Sequence, residues 1–200
     1  MNEPDVPPPP DMIPADDLIG AWRRLSIAWP DGRHDDQTFV LWLQAGTAFA
    51  DIRIGADGAA EGFAGTISLD GDVCTWHREI DLNPTGSADV GQLVWTGPDR
   101  MLERGSLSPY VEDWQRAPDR APTLVLRADD GILVRVGQDL LAATPAQVDH
   151  WTLGDPVIRR STDPRRVGRA LGYRRTDHGL VDADGRLWRC VEGNLADAPL

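Results

Sequence analysis

Charged side chains sit inside aromatic, strand-like runs at several places in this sequence, and those are the residues that could do chemistry. Asp51 and Arg53 share a side with Phe49 and alternate with Ala50, Ile52 and Ile54. Trp76 and Arg78 share a side of the run "VCTWHREID" (73–81), grouped with Cys74 and Ile80. Glu103 lies in "MLERG", and Tyr110, Glu112 and Trp114 fall on one alternating face. In a closed sheet one face of each strand lines the interior. Charges placed there must be paired, because an unpaired buried charge costs several kcal/mol. One reading is therefore structural: Arg53 or Arg78 pairs with Asp51, Glu103 or Glu112 to close the fold. The other is a pocket with aromatic walls and a few convergent polar groups, the usual form of a small-molecule site. Asp51, Arg53, Trp76, Arg78, Glu103, Tyr110, Glu112 and Trp114 would then line it. The ligand would be small and partly apolar, and anionic where Arg53 or Arg78 holds its head group by a forked pair of hydrogen bonds.

An enzyme is the alternative on the same scaffold: an isomerase, cyclase or hydratase that needs shape and one acid/base pair, and no cofactor. Glu103 or Asp51 would be the base, its pKa raised by burial, with Tyr110 or Arg78 as the electrophilic partner. A third reading is a protein-interaction scaffold whose interior is filled. A one-residue slip in register would reverse every one of these face assignments.

Other chemistries have little support. "GADGAAEG" (55–62) is glycine-rich but lacks the lysine of a phosphate loop and the helix that should follow, and "DADG" (182–185) lacks the spaced carboxylates of a calcium loop. His34, His77, His150 and His178 are scattered without metal-ligand spacing, so no metal is expected. Cys74 and Cys190 match no metal spacing either, and Cys74 reads as a small core residue. The 8 Trp either supply core volume or, through Trp42, Trp76 and Trp95, form a stacking surface for a flat or greasy ligand.

Composition bounds the partners. The chain has 200 residues, 41% apolar and 26% charged, enough for a real core. Its net charge of −12 argues against general nucleic-acid binding and against anionic membrane surfaces. All 20 basic residues are Arg, and nine of them fall in 155–189. They read as a solvated face, or as an anion or acidic-partner patch built from Arg159, Arg160, Arg165, Arg166 and Arg169. No apolar run reaches the roughly 18 residues of a membrane span. The first residues have no basic and apolar signal pattern, so a cytoplasmic protein with free thiols is expected.

The elements that must position these residues are strands. "MNEPDVPPPPDMIP" (1–14) reads as a disordered, polyproline-like tail. After it come "GAWRRLSIAW" (20–29), "QTFVLWLQA" (37–45, apolar on both faces), "TAFADIRI" (47–54), "FAGTISLD" (63–70), "VCTWHREID" (73–81), "QLVWTG" (92–97), "RMLERGSL" (100–107) and a further strand or closing turn at 110–116. About seven or eight short strands, punctuated by turns, predict a sandwich or an up-and-down barrel. "APDRAP" (117–122) reads as a linker. Beyond it "TLVLRA" (123–128) and "ILVRVG" (132–137) form a hairpin that "DLLAAT" (139–144) continues, and Thr144-Pro145 predicts a helical turn over 144–153. The expectation is all-β: a lipocalin-like antiparallel barrel at 15–116, then a smaller second barrel or β module at 123–200.

The blocks "FADIRI" (49–54), "FAG" (63–65), "WHREID" (76–81), Asp89 with Gly91, "LERG" (102–105) and "YVEDW" (110–114) follow one another in order. In this the chain resembles the Hri proteins of fungi, a family named for interaction with a casein-kinase-1-type kinase. The likeness covers 49–116, and 18–48 more loosely. The resemblance implies two lipocalin-type barrels in tandem and no established biochemical activity. The chain departs from the fungal pattern at Arg78 and in its shorter loops.

Overall fold

The computed structural model describes residues 13–198. The tail expected at 1–14 lies, up to residue 12, outside the described residues. Ile13 donates its backbone N–H to the Gly71 carbonyl (3.2 Å) and packs against the first core.

The first sheet contains β1 (Gly20–Ala28), β2 (His34–Asp35), β3 (Phe39–Ala45), β4 (Ala48–Ile54), β5 (Ala60–Asp70), β6 (Val73–Asp81), β7 (Asp89–Gly97), β8 (Arg100–Gly105) and β9 (Val111–Arg116). Each strand from β3 to β9 pairs antiparallel with the next, and β9 returns to pair with β1, which also pairs with β3. Eight strands thus close into an antiparallel, up-and-down barrel, with the short β2 extending β1. Closure removes the exposed strand edges that an open sheet of this length would present.

Two bulges adjust the simple alternation. In β1 the pairing to β9 shifts between Arg24 and Ser26, so Ile27 turns inward with Trp22 and Arg24, and Leu25 is left 42% exposed. In β6 the pairing to β5 shifts opposite Ala64 and Gly65. The grouping of Ile80 with Cys74, Trp76 and Arg78 is corrected here: the extra residue sends Ile80 to the outer core and brings Asp81 inward beside Arg78. Gly65 is required at this bulge, since a Cβ there would fall 1.9 Å from the His77 carbonyl oxygen.

The second sheet contains β10 (Thr123–Ala128), β11 (Gly131–Val136), β12 (Asp139–Ala143), β13 (Val148–Thr152), β14 (Arg160–Ser161), β15 (Arg174–Thr176), β16 (Gly179–Val181) and β17 (Leu187–Gly193). Its order is β14-β13-β12-β11-β10-β17-β16-β15, and β14 does not pair with β15, so it is a half-barrel. The gap is spanned by the segment 154–173, tied down by the Val157–Ala170 bridge and by the Ile158 N–H donating to the Arg169 carbonyl (2.9 Å). The helical turn expected over 144–153 is replaced by a hairpin. The Thr144 hydroxyl accepts the Ala146 and Gln147 N–H groups, and the chain runs on as β13, buried on both faces and paired with β12. Burial in a sheet outweighs the local helix-start signal.

Three cores organise the molecule. Trp22, Trp42, Phe49, Cys74, Trp76, Met101 and Trp114 fill one end of the barrel interior. The outward faces of β3 and β4 (Leu41, Leu43, Ala50, Ile52) pack against Val125, Val134 and Leu141 of the second sheet in a shared core. Leu124, Leu133, Trp151 and Trp188 line the hollow of the half-barrel. Among the described residues no helix is long and apolar enough to cross a membrane. In the arginine-rich stretch 155–189, Arg159 pairs with Asp155, Arg165 with Asp163, Arg166 with Asp149, and Arg186 with Asp130 and Asp182.

Candidate functional site

The barrel interior divides into a packed end and an open end. At the packed end Trp42 stacks on Trp22 (5.9 Å, 22°) and meets Trp76 and Trp114 edge-on at 5.7 and 5.6 Å. Trp76 and Trp114 therefore serve as core volume. Trp95 closes this end, 5.7 Å from Trp22, with the Arg116 guanidinium 4.8 Å over the Trp22 ring. Cys74 is fully buried here, and burial pushes its thiol up, so it is held as the neutral thiol. Cys74→Ala is expected to cost under about 1.5 kcal/mol in a urea titration, the penalty of one small apolar group. A cost above twice that would mean the thiol makes an interaction beyond packing.

At the open end lies a cavity of about 460 Å³. Arg53, Arg78, Tyr110 and Glu112 line it, together with Phe63 from β5 and the mouth loops that carry Ser87 and Leu107. The Phe63 ring is a platform for both guanidiniums, with Arg78 at 3.6 Å and Arg53 at 5.0 Å from its centroid. Cation–π contact of this kind holds flat charged groups over an apolar floor.

Arg53, Arg78, Glu103 and Glu112 each have a polar partner at this end. Arg78 donates from Nε and Nη2 to Asp89 (3.0 and 2.5 Å) and from Nη1 to Asp81 (3.3 Å). Arg53 donates from Nε to Asp51 (3.0 Å), and its Nη1 stands 3.8 Å from Glu112. Arg24 joins β1 to β9 by donating to Glu112 (2.6 Å) and also reaches Asp35 (3.2 Å). Tyr110 donates its hydroxyl to Glu103 (2.6 Å). Glu103 and Glu112 are direct cross-strand neighbours on β8 and β9. Like charges cannot both be held there cheaply.

The electrostatics follow from burial. Burial pulls the Arg53 guanidinium down, but Asp51 and Glu112 outweigh it and keep it charged. Burial pushes the Asp51 carboxyl up against the pull of Arg53. Burial, reinforced by the facing Glu112 carboxylate, pushes Glu103 well above the usual carboxylate range despite the hydrogen bond from Tyr110. Burial and these two glutamates push the Tyr110 phenol up as well. Burial and the facing Glu112 thus both oppose ionisation of Glu103, while Arg24 clasps Glu112.

Of the eight residues singled out in the sequence, four line the cavity: Arg53, Arg78, Tyr110 and Glu112. Asp51 and Glu103 sit behind them, 2% and 4% exposed, each bonded to a cavity-lining residue. Trp76 and Trp114 belong to the packed end. Sequence reasoning missed Phe63, Arg24, Asp81 and Asp89 as parts of the arrangement. Arg24 had a signal, since it shares a strand face with Trp22. Asp81 had none, because only the β6 bulge turns it inward.

No protein-family model matches the sequence, and no curated protein does. Two solved structures resemble the chain. One is a lipocalin-like protein from Bacteroides uniformis (17% identity, 50% of this chain and 99% of that one, TM-score 0.41). The other is an uncharacterised protein from Saccharomyces cerevisiae (14% identity, 88% of this chain and 98% of that one, TM-score 0.62). Neither carries the Hri family name to this chain. The likeness to the yeast protein is one of fold, and it extends over both the closed barrel and the half-barrel.

Proposed function

We propose that this chain binds a small, partly apolar molecule non-covalently at the open mouth of its first barrel. The observation that carries the reading is the cavity itself: about 460 Å³ above the Phe63 platform, bordered by the ordered guanidiniums of Arg53 and Arg78. Volume, an apolar floor and a few fixed polar groups are the usual features of a small-ligand site. Leu107, 65% exposed at the rim, offers an apolar wall that water does not reward.

The charge of the ligand can be argued further. Glu61, Asp81, Asp89 and Glu112 border the cavity against Arg53 and Arg78 alone. Arg78 already spends all three guanidinium nitrogens on carboxylates. An anionic head group would meet an excess of negative charge, so a ligand bearing amine or hydroxyl donors fits better than a carboxylate. Arg53, engaged through Nε, keeps its outer N–H groups for one acceptor atom. Binding is preferred over catalysis because Glu103, whose pKa burial holds well above the usual carboxyl range, is 4% exposed and touches the cavity only through Tyr110.

The division into a barrel domain at 15–116 and a second domain at 123–200, and kinship with the fungal Hri proteins on the ordered blocks of 49–116, belong to the same proposal. The test is native mass spectrometry of the protein from its own host, followed by thermal shift with a panel of small amines, alcohols and carboxylates. An added mass, or a stabilising amine or alcohol, is expected, and Leu107→Ser, which removes the apolar wall, and Tyr110→Phe should weaken it. A clean mass with no shift from any member, or binding indifferent to both substitutions, would favour the interaction scaffold.

A further inference from the structure

A second cavity, of about 200 Å³, lies in the hollow of the half-barrel, under the segment 154–173 that spans its unpaired edges. Its aromatic wall is a stack. Tyr173 lies over Trp151 (5.6 Å, 28°) and meets Trp188 edge-on (6.4 Å, 70°). Two ion pairs flank the Tyr173 hydroxyl. On one side Arg166 grips the buried carboxylate of Asp149 through Nε and Nη2 (2.9 and 2.7 Å). On the other Arg186 and the Trp188 indole both donate to Asp182 (3.1 and 3.0 Å). The Tyr173 hydroxyl itself has no hydrogen-bond partner among the described residues, and burial, with Asp149 next, pushes its pKa up, so it stays protonated.

The charge count at this cavity is even: Asp149, Asp182 and Asp184 against Arg166, Arg169 and Arg186. A bare anion meets three carboxylates and a bare cation meets three guanidiniums, so neither gains net attraction. The groups left over are of both kinds. Tyr173 offers a hydroxyl, Arg166 its remaining Nη1, Gln147 an amide and Asp184 a carboxylate. A ligand that both donates and accepts at several points, without net charge, satisfies them all. One that also presents a C–H face can rest on the half-buried Tyr173, which the fully buried Trp151 and Trp188 back and which supplies an apolar ring and a polar tip together.

From this aromatic stack with its balanced polar rim, we propose that the half-barrel holds a second, independent binding site for a single neutral polyhydroxylated ring, a monosaccharide or cyclitol. The site does not depend on the barrel mouth, and the two share none of their named groups.

The test is ligand-observed saturation-transfer NMR on the full chain. The probes are D-glucose, D-galactose and myo-inositol, with sodium acetate, choline chloride and glycine as charged or zwitterionic counterparts. At least one hydroxylated probe is expected to show transfer, strongest at its C–H protons, with a dissociation constant on the order of 1 mM. Tyr173→Phe, which keeps the ring, should weaken binding roughly tenfold by removing one hydrogen bond to a hydroxyl. Asp184→Asn, at an exposed position, should weaken it too. Silence from all three hydroxylated probes overturns the proposal. So does binding unchanged in both variants, which would place the ligand elsewhere, or saturable binding of acetate, choline or glycine in place of the rings.

Discussion

Arg24→Ala is expected to lower the unfolding free energy by about 3–5 kcal/mol, the cost of leaving a buried carboxylate without its partner. Arg24 and Glu112 are 6% and 2% exposed at their side chains, 2.6 Å apart, and they join the strands that close the barrel. With Arg24 gone, Glu112 keeps only the Nη1 of Arg53 at 3.8 Å, and it still faces Glu103 across the β8–β9 ladder. Urea titration should show the midpoint fall with an unchanged slope. Replacing both partners, as Arg24→Leu with Glu112→Leu, should recover most of the stability, since paired apolar groups need no compensation. A loss under about 1 kcal/mol for Arg24→Ala would mean that water reaches this pair as it reaches a surface ion pair.

That pair also marks what could be read from the sequence. Strand-like runs were legible because apolar and charged residues alternate in them: Phe49, Asp51 and Arg53 do face one way, with Ala50, Ile52 and Ile54 on the other. The two-sided burial of β3 was legible from "FVLWLQA", and the structure explains it, with Trp42 inside the barrel and Leu41 and Leu43 in the core shared with the second sheet. The pairing of Arg53 with Asp51 was legible from their shared face, but the partners of Arg24 and Arg78 were not. Arg24 finds Glu112 across 88 residues, and Arg78 finds Asp89 only because β6 and β7 are neighbours in register. Alternation carries no information on register, and each bulge breaks it: Ile80 and Asp81 exchange faces through one extra residue in β6. The helix-start signal at Thr144-Pro145 misled because a hydroxyl that caps a helix also closes a hairpin turn.

Glu103→Gln is expected to stabilise the protein at pH 8, by about 1.4 kcal/mol for each pH unit over which the buried acid resists ionising. The folded protein holds the Glu103 proton well above the pH at which an unfolded chain releases it, because the site is dry and Glu112 opposes a second negative charge. Between those two points the folded state binds more protons than the unfolded state, so stability falls as pH rises. The contribution is fully present below the ordinary carboxyl range and is lost as pH climbs through the raised value. Gln keeps the acceptor that Tyr110 bonds at 2.6 Å and cannot ionise, so it removes the slope without removing the hydrogen bond. Melting temperature measured from pH 4 to pH 9 should therefore decline for the wild type over this interval and run flatter for Glu103→Gln, the curves meeting in acid and separating in base. Glu103→Ala is the control that loses packing and leaves the Tyr110 hydroxyl unpaired, and it should melt lower than Glu103→Gln at every pH. Parallel curves for the wild type and Glu103→Gln would show Glu103 ionised in the fold. The cross-strand glutamates would then share the charge of Arg24 and Arg53, and Glu103 would be lost as a proton donor beside the barrel mouth.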